Sequence, residues 1–277
     1  LYIIDFGQAV TIKHPNAMPF LMRDISNICS YFYKRYGIER DPKQIFEKID
    51  PNLARKAAEK AIEILARDGI PAEKELYVNS YPFHPFLIEL LTKRFPEFES
   101  FQRTREALRI LAKACASLLR NNKLDLLFIG PGDIDLSDKD VRSELTSSSN
   151  FEMNNLNQIV KSDIISEENT DRELTRLLTS IYTYSLHPKK EKRGMNAKEL
   201  FNSILPEVGS SEDIERKIKD YIEKKASYLE LNTENNKFYF SEEINIRARI
   251  RQEMQHVGDI TDEFYKIIDD ITKETDK

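Results

Sequence analysis

The chain has 277 residues, with 42 Lys and Arg against 47 Asp and Glu, a formal net charge of −5. Charged residues make up 32% and the two signs are interspersed, which excludes general polyanion binding. No apolar run approaches the roughly 18 residues of a membrane span and no signal peptide precedes the chain, so a cytoplasmic protein with no membrane partner is expected.

The length suffices for one large domain or two small ones with a real core. Only eight glycines are present, which argues for many helices and few tight turns. Cys29 and Cys115 both fall in apolar helical patterns and read as buried thiols, not a disulfide. The start at Leu1, without Met, reads as a fragment.

In chain order, Tyr2–Asp5 reads as a buried strand and Ala9–Ile12 as a second short extended piece. His14-Pro15-Asn16 breaks the chain. Leu21, Ile25, Ile28, Phe32 and Tyr36 then predict a helix over Phe20–Tyr36, closed by Gly37. Asp41-Pro42 opens another helix. Leu53–Asp68 reads as an amphipathic helix with Ala57, Ala61, Ile64 and Leu65 inward, and Phe86 starts a further one to about Lys93. A long helix follows Phe101, with Leu108, Leu111, Cys115, Leu118 and Leu119 on one face. Leu124–Ile129 is read as a strand, turned away by Gly130-Pro131-Gly132-Asp133. Ser137-x-x-Asp140 resembles a helix-starting cap before Val141–Leu145.

Thr146–Asn150 is polar and reads as a linker. Beyond it, helices are predicted over Thr170–His187, over Asn196–Leu205, and after a Ser210/Ser211 cap with Ile214, Ile218, Tyr221 and Ile222 inward. Tyr228–Leu231 and Lys237–Phe240 flank a polar loop and predict a hairpin. Three helices followed by a hairpin suggest a winged-helix domain. Ile244–Met254 and Asp262–Ile271 read as further helices.

Two constellations carry chemistry. The first is Ile4-Asp5-Phe6-Gly7-Gln8-Ala9-Val10, followed by His14-Pro15-Asn16-Ala17 and Leu21-x-Arg23-Asp24-Ile25-x-Asn27-Ile28. A carboxylate at a strand end before Gly can hold Mg²⁺ against ATP phosphates. Together these residues resemble the RIO family of atypical protein kinases over residues 1 to about 49. The resemblance implies that Asp5 is the metal ligand and the phosphoaspartate acceptor proposed for that family. It also implies that the following helices belong to a kinase C-lobe. Arg23 and Asp24 are assigned structural roles.

The second constellation is Tyr81-Pro82-Phe83-His84-Pro85-x-Leu87-Ile88 with Phe101-Gln102-Arg103-Thr104-Arg105-x-Ala107-Leu108-Arg109-x-Leu111-Ala112. With Gly130-Pro131-Gly132-Asp133-Ile134 and Val141-Arg142, it resembles an uncharacterised prokaryotic family of predicted AAA+ ATPases, some found in phage-defence clusters. That resemblance covers roughly three-quarters of the chain, to about residue 246. It implies a lid helix with a sensor arginine reaching the nucleotide's terminal phosphates. Arg105 suits that role and Arg103 is the alternative; a guanidinium fork at a helix start fits phosphate oxygens. The imidazole of His84 reads as turn packing between prolines.

The rest of either phosphoryl-transfer machine is not legible. No Gly is followed by Lys, so there is no P-loop. The one Gly-x-Gly, at Gly130-Pro131-Gly132, precedes acids and suits no phosphate-covering loop. None of His14, His84, His187 and His256 sits in a catalytic-loop setting, and no Cys or His cluster suits zinc. Catalysis by positioning and charge needs those parts together. ATP and Mg²⁺ are therefore cofactors by resemblance alone, and no activity is expected from this chain by itself.

The predicted third helix of the winged-helix part carries Arg216, Lys217, Lys219, Lys224 and Lys225 against Glu212, Asp213, Glu215, Asp220 and Glu223. Those charges nearly cancel, which favours protein domains or subunits over nucleic acid as partners. The expected fold is mainly α with small β elements: a helical kinase C-lobe remnant over 1–50, an AAA+-like helical lid over 51–147, and a winged-helix domain with a β-hairpin and C-terminal helices over 148–277. A join of two incomplete pieces near Asp50-Pro51 accounts for this order.

Overall fold

A computed structural model describes residues 17–47, 52–97, 103–121, 126–147, 157–165, 171–246, 248–250 and 254. The described residues are mainly helical, with one two-stranded antiparallel sheet among them. The strands expected at Tyr2–Asp5 and Ala9–Ile12 and the helix expected at Asp262–Ile271 lie outside the described residues.

Helix α1 (Ala17–Tyr36) ends with Lys34 and Arg35 in its last turn, where cations offset the negative end of the helix dipole. Gly37 takes φ +67, and its N–H and that of Ile38 reach back to Tyr33 O and Phe32 O, closing the helix. Helix α2 (Pro42–Glu47) starts with Pro at its first position, with the Asp41 carboxylate accepting from the Lys43 N–H at 2.9 Å. Arg23 and Asp24 pair with each other on the surface of α1.

Helix α3 (Leu53–Arg67) buries Ala57, Ala58, Ala61, Ile64 and Leu65, the face that its spacing predicts. It packs on α4 (Lys74–Ser80). Helix α5 (Pro85–Glu89) continues into a wider π-helical turn over Leu90–Arg94. Helix α6 (Arg103–Arg120) buries Ile110, Leu111, Ala114 and Leu118. Leu108, expected inward, is 37% exposed. An i, i+1, i+4, i+8 stripe from Ile110 is the face that meets the core, and Leu108 lies off it.

The strand expected at Leu124–Ile129 does not form among the described residues. Only Ile129 bridges, in parallel fashion, to Phe83, with Ile129 N donating to Pro82 O and His84 N to Ile129 O. Apolar residues alone do not make a ladder; a strand needs a partner strand of matching length. Helix α7 (Lys139–Ser147) is capped by Asp138, whose Oδ1 accepts from the Asp140 and Val141 N–H groups, and not by Ser137 as expected. Its run to Ser147 takes in the first residues of the expected linker.

Helices α8 (Arg172–Ser185), α9 (Ala197–Ile204) and α10 (Ser211–Lys224) follow. Asp171 caps α8; Asn196 with Glu199, and Ser210 with Asp213, form reciprocal capping boxes on α9 and α10. Strands β1 (Leu229–Asn232) and β2 (Lys237–Phe240) pair Leu229 with Phe240 and Asn232 with Lys237. Met195, between α8 and α9, exchanges both backbone hydrogen bonds with Phe238 and so adds a one-residue third rung.

One continuous core runs from Ala57 on α3 to Phe240 on β2, and includes Tyr77, Phe95, Ile110, Phe128, Leu177, Phe201 and Phe238. Cys29 is buried and Cys115 partly so, and both are free thiols.

Candidate functional site

The Gly130-Pro131-Gly132-Asp133 turn sits where α8 and α9 meet the rest of the core. A Cβ on Gly132 would collide with Arg176 O and stand 2.8 Å from Ser180 Oγ; one on Gly130 would stand 2.6 Å from Ser203 O. Both glycines are therefore set by close approach of helix backbones, not by room for a phosphate. The Asp133 side chain, 3% exposed, takes a two-pronged ion pair from Arg176: Nε to Oδ1 at 2.8 Å and Nη2 to Oδ2 at 3.1 Å. Asp133 Oδ2 also accepts the Gly130 N–H at 2.8 Å, and Arg176 Nη1 donates to Ile204 O at 3.3 Å. The guanidinium is thus committed to protein groups at the end of α9.

Beside this joint lies a cavity of about 140 Å³. Arg172, Arg176, Asp133, Asp135, Thr175 and Thr179 bring its polar groups. Asp135 accepts from the Ser117 hydroxyl and from the Ser137 hydroxyl and N–H. The cavity is well below the roughly 300–1,000 Å³ of ordinary small-molecule sites.

On the other side of the joint, His84 is buried in a polar knot. Its Nδ1 accepts the Phe86 N–H at 3.0 Å, capping α5, so Nε2 carries the proton and donates to Asn202 Oδ1 at 3.1 Å. Tyr77 donates its hydroxyl to the same oxygen at 2.6 Å. The histidine is turn packing, as its proline neighbours suggest. Burial, outweighing the Asn202 bond, holds the imidazole neutral, with its pKa pushed down to about 3.

The unfolded chain protonates this group near pH 6.5, so its share of stability is complete above that pH. It falls by about 1.4 kcal/mol per unit as the pH drops toward 3. His187, fully buried, is shifted down by burial and by Arg94, so its share is likewise lost as the pH falls below about 6.5. Urea unfolding at pH 7.5 and 5.0 should show a loss of about 2 kcal/mol or more. That loss should be smaller in His84→Gln, and an unchanged pH dependence would contradict the assignment.

Asp163 makes a third buried polar joint. Its Oδ2 accepts the Ser227 and Tyr228 N–H groups at 2.9 and 2.8 Å, and its Oδ1 accepts the Ser162 hydroxyl at 2.6 Å. The Tyr221 hydroxyl donates to Asp163 O at 2.7 Å. Burial pushes this carboxyl up and the donors act against that shift. Asp163 thus ties Tyr221 of α10 and the two residues before β1 to the helical segment 157–165.

Of the residues chosen from the sequence, Arg103 and Arg105 fall in the first turn of α6, with side chains outside the described ones. Asp5 lies outside the described residues. Among the described residues no group of three or more His, Cys, Asp or Glu could hold a metal ion. Sequence reasoning missed Arg176, Asn202 and Asp163. The only signal was Gly130-Pro131-Gly132-Asp133 itself, where paired glycines before an acid mark close packing and an ion-pair partner.

The DUF499 second domain matches residues 41–240. The chain belongs to that family. The RIO domain matches residues 1–45, so the two matches meet at 41–45. Both resemblances drawn from the motifs thus correspond to family matches. Over 49 residues the chain is 51% identical to the RIO-type serine/threonine-protein kinase Rio1 of Thermoplasma acidophilum, covering 18% of this chain and 26% of that one. Over 47 residues it is 47% identical to Rio1 of Haloferax volcanii, covering 17% and 16%. An uncharacterised protein of Archaeoglobus fulgidus is 27% identical over 84 residues, covering 30% of this chain and 13% of that one. The DUF499 chain therefore spans at most about a quarter of the length of these relatives. No solved structure matches it. Among the described residues no helix is long and apolar enough to cross a membrane.

Proposed function

We propose that this DUF499 chain is an accessory part of an ATP-dependent protein, joined to a RIO-type kinase segment, and that it performs no phosphoryl transfer by itself. On this reading α3–α7 form the lid of an AAA+-type ATPase and α8–β2 form a winged helix. Arg105, or Arg103 in its place, reaches ATP held elsewhere, and Asp5 is the Mg²⁺ ligand of the kinase segment.

The observation that carries the reading is the fate of the chain's one Gly-x-Gly. Gly130, Gly132 and Asp133 are consumed in packing against α8 and α9, and Arg176 is consumed by Asp133. The helix–helix–helix–hairpin order with the Met195–Phe238 rung supports the winged-helix assignment. On α10 three cations pair within the helix, Arg216 with Asp213, Lys219 with Glu215 and Lys224 with Asp220, and Lys217 pairs with Asp171 and Glu173 at the start of α8. Cations held by neighbouring acids release few counterions on a phosphate backbone, so the partner is another protein domain or subunit.

The reading is tested by titrating the purified chain with fluorescent ATP and Mg²⁺. No saturable binding is expected below about 1 mM, the upper end of ordinary KM values. Tight binding that Arg105→Ala leaves intact would place a nucleotide site elsewhere in this chain and overturn the reading.

A further inference from the structure

Beyond the hairpin the chain presents Ile246, Ile250 and Met254 at 76%, 52% and 68% exposure. All three are helical, and spacings of four put them on one face. Such a stripe in water is costly unless something covers it.

We propose that the stripe is covered by the chain's own residues 259–271, folding back after Gly258. The pattern of that stretch fits the stripe in three ways. Phe264, Ile267, Ile268 and Ile271 recur at i, i+3, i+4 and i+7, one apolar face at helical spacing. The charges are complementary. Residues 246–256 carry Arg247, Arg249 and Arg251 against one acid, Glu253, whereas 259–271 carry Asp259, Asp262, Glu263, Asp269 and Asp270 against Lys266. The length also fits: helix–helix connections need only 2–5 residues, and Val257-Gly258 lies directly between the two stretches. Thirteen helical residues span about 20 Å, more than the roughly 12 Å from residue 246 to 254. A second copy of the chain would bring the same arginines against one another, so the acidic stretch is the better occupant.

Hydrogen exchange on the full chain tests this. Amides of 246–254 and of 259–271 should both be protected. The double variant Phe264→Asp/Ile268→Asp should speed exchange of both stretches at least tenfold while leaving α8 to β2 unchanged. Ile250→Asp should deprotect 259–271 to the same extent. Asp269→Lys/Asp270→Lys should give a smaller loss that added salt reduces. The proposal fails if 246–254 exchanges freely in the unaltered chain. It also fails if protection of the stripe depends on protein concentration and light scattering gives twice the chain mass, which would make a second copy the occupant.

Discussion

Replacing Asp133 with Ala is expected to cost about 3–5 kcal/mol of stability, the range for breaking one side of a buried ion pair. Three effects add. The two hydrogen bonds from Arg176 go with the carboxylate, the Arg176 guanidinium is left largely buried without its counter-charge, and the Gly130 N–H loses its acceptor. Arg176→Ala should cost about as much, because Asp133 is the more deeply buried partner. The double variant should fall well short of the sum, since each single change already removes the shared interaction. Urea unfolding read by far-UV circular dichroism checks this; additive losses under 1 kcal/mol each would refute the pairing. Gly132→Ala tests the same joint through sterics alone. Its new methyl would press on Arg176 O, and overpacking of that kind costs about 1–3 kcal/mol.

The second large effect is expected at Asp163. Removal to Ala strands the Ser227 and Tyr228 N–H groups, and each buried donor left unmet costs about 1–3 kcal/mol. Asp163→Ala should therefore cost about 2–6 kcal/mol, with the loss centred on β1. Asp163→Asn keeps one acceptor oxygen and should recover part of it. Equal losses in the two variants would show that the acceptor oxygens matter less than the shape of the side chain.

Much of the fold was legible because it is written locally. Helices α8, α9 and α10 each combine a 3.6-residue apolar repeat with a capping side chain one residue upstream; α8 and α9 form within two residues of their expected ends and α10 starts at its expected serine cap. The hairpin is equally local, with alternating apolar residues on both sides of a polar loop. What failed was whatever depends on a distant partner. The segment ending at Ile129 had apolar content but only Phe83 to pair with, so its expected strand reduced to a bridge. Leu108 sat within a plausible stripe, but the core lies on the face of Ile110 and Ala114. Asp138 displaced Ser137 as a cap because its carboxylate reaches two amides at once.

The candidate site was less legible than the fold for the same reason. Arg176 and Asp133 are 43 residues apart, and Tyr77 and Asn202 are 125 apart. No periodicity links such pairs. Gly130 and Gly132 looked like a turn, and their second task, admitting the backbones of Ser203 and Arg176, appears only in three dimensions. The family motifs, by contrast, were visible in sequence because they are contiguous runs, and they coincide with the RIO and DUF499 matches.

ATP turnover by the purified chain, followed as release of labelled γ-phosphate, tests the central claim most directly. The account predicts release indistinguishable from the protein-free blank, and the same trace from Asp5→Ala and Arg105→Ala. Sustained release by the unaltered chain that disappears in either variant would contradict it.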